Sequence, residues 1–63
     1  MPAASKDQLK QFVSTYKSAF KQAGGREDEI KDEQTIIQKM EKAGVQNDQQ
    51  ARDAGRKDGE QSK

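Results

Sequence analysis

The sequence predicts an all-α protein: an antiparallel hairpin of two amphipathic helices followed by a flexible polar tail. Three observations lead there. Apolar residues recur at helical spacing in two stretches, each stretch ends on glycine, and beyond residue 45 no large apolar side chain remains. The expected division is an N-terminal arm over 1–5, the hairpin over 6–45 and the tail over 46–63.

The first helix is expected over about 6–23. Ser5-Lys6-Asp7-Gln8 reads as a capping box, in which the serine oxygen accepts from the Gln8 amide and the glutamine reaches back. Leu9, Phe12, Val13, Tyr16, Ala19, Phe20 and Ala23 then follow the i, i+3, i+4, i+7 rhythm. At 100° per residue they fall within a band roughly 120° wide. Gly24 suits the left-handed position just past the helix, where a Cβ would be strained.

The second helix is expected over about 27–43. Glu27, Asp28 and Glu29 complement the positive end of a helix dipole, and apolar positions follow at 30, 36, 37, 40 and 43. Ala43-Gly44-Val45 closes it as a Schellman ending, with Val45 packing back on Met40. Two such helices joined by a short glycine-rich link favour an antiparallel pair.

From Gln46 onward Gln, Asn, Asp, Arg, Lys and Gly dominate. Such a segment lacks the apolar surface to offset its ordering cost, so disorder is expected. Asn47-Asp48-Gln49-Gln50 resembles a second capping box and allows a fraying turn over about 48–54.

Ten sizeable apolar side chains (Leu9, Phe12, Val13, Tyr16, Phe20, Ile30, Ile36, Ile37, Met40 and Val45) make a thin core for 63 residues, 37% of them charged. A chain of this size buries too small a fraction of its surface to be comfortable alone. Homodimerisation is therefore expected, two hairpins forming a coiled-coil-like four-helix bundle over Leu9, Phe12, Tyr16, Phe20, Ile30, Ile37 and Met40. No cysteine is present to supply disulfides or thiolate ligands. The N-terminus carries no apolar signal-peptide core and reads as the start of a short open frame, and no run of 18 apolar residues exists. A cytoplasmic location is the expectation.

Inventory speaks against catalysis. With neither His nor Cys, the usual proton shuttle and thiolate nucleophile are missing, and Ser5, Ser14, Ser18 and Ser62 have no histidine to activate them. Gly24-Gly25 has no lysine-serine continuation and makes no phosphate loop. Glu27, Asp28, Glu29, Asp32 and Glu33 read as a dipole-friendly helix start rather than a cation site. No enzyme activity, cofactor or metal is expected.

Charge is unevenly spread although the net is +1. Lys6, Lys10, Lys17 and Lys21 give the first 25 residues a basic character, and the second stretch is acidic. These lysines form one strip beside the apolar band, while Gln8, Gln11, Thr15, Ser18 and Gln22 form an uncharged opposite flank. The strip reads first as a solvated flank matched by the acidic second helix. Second, it reads as a phosphate contact for nucleic acid, assisted by Arg52, Arg56 and Lys57 but opposed by Asp48, Asp53 and Asp58. A membrane-surface helix comes third, since every large apolar group is needed for the core. Glu33 falls on the seam of residues 30, 33, 37 and 40, where it fixes register, pairs with a lysine of the other helix, meets a partner, or is left wet as the helix turns Ile36 inward.

The functional expectation is a small non-enzymatic regulatory or assembly factor that docks on a larger protein through a helical face. Tyr16 and Ile36 would be edge anchors, rimmed by Lys10, Lys17 and Lys21, with Glu33 beside them. The alternative is a nucleic-acid-binding accessory using the lysine strip and the basic tail residues.

Overall fold

A computed structural model describes residues 4–62 and is all-helical. Residues 1–3 of the expected arm and residue 63 of the expected tail lie outside the described residues. Three α-helices occur in order, α1 (Lys6–Gln22), α2 (Glu33–Ala43) and α3 (Asp48–Ser62), with a 3-10 turn over Glu27–Ile30 between the first two.

Helix α1 starts as its sequence indicates. Ser5 is extended, and its side chain accepts from the Gln8 amide at 3.4 Å. Its end is a full Schellman motif: Gly24, at φ 88°, donates to the Lys21 carbonyl, and Gly25 donates to that of Phe20. The Phe20 ring then lies over Gly25, so closely that an added Cβ would sit 2.4 Å from it.

The second stretch is not one helix. Residues 27–30 form the 3-10 turn, Asp32 takes an extended conformation, and α2 begins only at Glu33. A continuous helix would stack Asp28 on Asp32 and Glu29 on Glu33, like-charged pairs four residues apart that destabilise it. The break separates them and lets Ile30 turn inward to 1% exposure. At the far end Gly44 adopts φ 73°, and Val45 donates to the Met40 carbonyl at 3.1 Å. Val45 is buried, as the Schellman reading requires.

The expected disordered tail is instead a 15-residue helix. The Asn47 side chain accepts from the Gln50 amide at 2.9 Å, and the Gln50 side chain reaches back to the Gln46 amide at 2.7 Å. The capping signal was therefore genuine, but the helix runs far past residue 54. It does so because it buries small residues. Ala51, Gly55 and Gly59 recur every fourth position, face inward, and are buried. With no side chains in the way, α3 lies against the α1 backbone along much of its length.

The two-helix plan thus gives way to three helices around one core. Leu9, Tyr16 and Phe20 come from α1, Ile30 from the 3-10 turn, Ile36, Ile37 and Met40 from α2, Val45 from the link and Ala51 from α3. Phe12, Val13, Ala4 and Ala54 pack around it, half-buried. The cover expected from a second copy comes from α3 of the same chain. The radius of gyration, 10.1 Å, is close to the roughly 11 Å expected of a folded domain this size.

Candidate functional site

The residues expected to anchor a partner are inside the core. Tyr16 is 0% exposed and Ile36 2%. Both are corrected from edge anchors to core residues: α3 covers the face on which Tyr16 lies, and the start of α2 at Glu33 turns Ile36 inward. The Tyr16 hydroxyl donates to the half-buried Asp58 carboxylate of α3, and the Tyr16 ring stacks on Phe20, with centroids 6.1 Å apart. Burial first, and then the hydrogen bond to Asp58, push the Tyr16 hydroxyl well above its ordinary range.

Glu33 is exposed in the first turn of α2, where it complements the helix dipole. Glu33 is left wet with Ile36 turned inward, the last of the readings its seam position allowed, and the helix begins there. Lys10, Lys17 and Lys21 are exposed on α1, as expected of a solvated flank. Lys21 approaches Glu27 of the 3-10 turn at 2.9 Å, and this contact holds the Glu27 carboxyl below its usual value. Lys6 and Lys10 border a groove whose other wall is α2, with Glu41 among its residues. The N-terminal half of the strip thus borders α2, whose Glu33 and Glu41 are balanced by Lys39 and Lys42. Of the three aromatic residues that a membrane-surface α1 would present, Tyr16 and Phe20 are turned into the protein and Phe12 is half-buried.

Three polar contacts fasten α3 from end to end. Thr15 donates to Asp48 at 2.6 Å near its start, Tyr16 donates to Asp58 further along, and Ser62 accepts from the Arg26 amide at 3.1 Å at its end. Asp48 and Asp58 were counted as acids opposing the tail's basic residues, yet both are engaged in holding the helix down.

That arrangement creates a surface the sequence did not advertise. Along one side of the α1–α3 seam runs an open groove of about 500 Å³. Ala19 and Ala23 of α1 belong to its floor, Gln22 and Gln49 flank it, and Arg52, Asp53, Arg56 and Glu60 of α3 form a wall of mixed charge. A polar hollow bounded by Ser14, Thr15 and Ser18 continues it, sharing Arg52, Ala19 and Gln22. The uncharged flank of α1 is one side of this groove. Its legible precursor was the spacing of Ala51, Gly55 and Gly59, which fixes the face α3 presents to α1 and hence the face its arginines occupy.

Among the described residues no three acidic side chains converge to hold a metal ion, and no helix is long and apolar enough to cross a membrane. No protein-family model, curated protein or solved structure matches the chain.

Proposed function

We propose that this protein is a small non-enzymatic binding factor that docks on a larger protein through the α1–α3 groove. The observation that carries this reading is the groove's wall, where Arg52, Asp53, Arg56 and Glu60 present both signs of charge over an alanine floor. Mixed charge suits a polypeptide partner, whose own acidic and basic side chains can pair with it; a phosphate backbone would meet Asp53 and Glu60 unfavourably. The small floor residues admit a helix or extended segment at close range. Arginine is enriched in protein interfaces, where its planar fork binds carboxylates bidentately.

The docking unit is a single chain, because α3 covers the apolar surface that called for a second copy. Regulation or assembly of the partner is the role this docking would serve.

The test is a crosslinking pull-down from the source cell with the intact protein and with the double variant Arg52→Glu/Arg56→Glu. A discrete protein captured by the native chain and lost with the variant supports the reading. Equal capture by both, or recovery of nucleic acid alone at moderate salt, would overturn it.

A further inference from the structure

Lys39 and Lys42 of α2 and Lys57 of α3, distant in sequence, border one groove of about 380 Å³ on the flank of α3 opposite its arginines. Lys42 and Lys57 are exposed and Lys39 is half-buried. None of the three forms an ion pair among the described residues; the pairs present are Lys21–Glu27 and Lys31–Asp28. Two acids lie near. Asp58 borders the groove but is engaged by the Tyr16 hydroxyl, and Glu29 lines an adjoining hollow together with Lys39 and Asp58. The acid of α2's second half, Glu41, is on the opposite side of that helix, facing Lys6 and Lys10. Folding thus sorts the charges of α2. Glu41 goes toward α1, and the ammonium groups of Lys39 and Lys42 go toward α3, where Lys57 joins them.

We propose that this lysine face contacts the phosphate backbone of a nucleic-acid duplex. The groove brings Lys57 beside Lys39 and Lys42, which have no carboxylate one helical turn away on α2, so an external anion supplies their counter-charge. Lysine ammonium groups act as strongly hydrated point charges, suited to phosphates that stay partly in water. The centre of a protein interface would have to strip that hydration, and lysine is depleted there. The groove has no arginine fork and no aromatic ring for a base, so the contact is to backbone and carries no sequence preference. It is independent of the α1–α3 groove, and the two surfaces are free to be occupied together.

The experiment measures anisotropy of a labelled, short, mixed-sequence DNA duplex titrated with the intact protein across a salt series starting low. Three phosphate contacts predict that log K falls with log salt at a slope of about −2.7. The variant Lys39→Glu/Lys42→Glu/Lys57→Glu is expected to lose about tenfold or more in affinity at low salt, whereas Lys6→Glu/Lys10→Glu stays within about twofold of the native protein. Circular dichroism accompanies each variant. If the triple variant does not retain the native helical spectrum, acetylation-mimicking Lys→Gln changes at the same three positions take its place, with the same loss expected. Absence of duplex binding by the native protein overturns the proposal. So does an equal loss in the Lys6/Lys10 variant, or a poly-glutamate peptide competing as strongly as duplex.

Discussion

A methyl group added at Gly55 would sit 2.4 Å from the Tyr16 carbonyl oxygen, and one at Gly59 would sit 2.6 Å from that of Phe20. Both neighbours are backbone atoms of α1, which cannot swing aside as a side-chain tip can. On helix propensity alone, alanine should stabilise by about 1 kcal/mol at each site. Overpacking costs typically about 1–3 kcal/mol and opposes that gain. With a backbone atom in the way the upper half of that range applies, about 2–3 kcal/mol, and less the propensity gain Gly55→Ala is expected to lower stability by about 1–2 kcal/mol in chemical denaturation. A variant as stable as the native protein would mean α3 does not lie so close. Tyr16, the sole tyrosine, supplies a second residue-scale prediction. Its folded-state pKa is raised by burial and by its bond to Asp58, so the native state keeps a proton that the unfolded chain releases near pH 10. Stability from this group is complete below that pH and is lost as pH climbs above it. Phenolate absorbance is expected to appear together with loss of helical circular dichroism; ionisation of a still-folded protein would contradict the buried hydroxyl.

Among the elements, α3 is the one held by the least apolar surface. Only Ala51 of this helix joins the core cluster, and two interior glycines weaken it locally. It persists through its cap, its close seat on α1 and its three polar ties to Thr15, Tyr16 and the Arg26 amide. Asn47→Ala removes the acceptor for the Gln50 amide and is expected to cost about 1 kcal/mol. The loss should concentrate in faster amide hydrogen exchange over residues 48–62, with α1 and α2 less affected. Uniform acceleration across all three helices would show instead that α3 opens only with the whole protein.

The whole molecule closes its core within one chain, and this bears on oligomeric state. Leu9, Tyr16 and Phe20 are fully buried without a second copy. Removing α3 by ending the chain after Asn47 would uncover part of this surface. That fragment is expected to self-associate or lose helix, whereas the intact protein sediments as a monomer at micromolar concentration. Sedimentation velocity of both chains decides the matter. A dimeric intact protein would restore the bundle expected from composition, and a monomeric, fully helical fragment would mean that α3 is not needed for closure.

Local physics was legible wherever it acts over a few residues. Ser5, Gly24, Gly44, Val45 and the Asn47–Gln50 pair behave as their sequence context dictates, because caps and left-handed turns are settled by neighbours within about one helical turn. The acidic run 27–33 also held its own clue, in the like-charged pairs that break the second helix. What residues 48–62 become was not decided locally. A stripe of alanine and glycine has little hydrophobic drive, and its value arises only when another helix offers a backbone to lie against. The same distance dependence governs the candidate surfaces. Sequence alone determined that residues 6–45 are mainly helical, where α1 begins and ends, where α2 ends and where α3 is capped. Tertiary structure decided that Tyr16 and Ile36 are core, that Arg52 and Arg56 face α1's uncharged flank, and that Lys39, Lys42 and Lys57 meet. Those outcomes depend on which face each helix presents to the others, and that is set by packing between residues far apart in the chain.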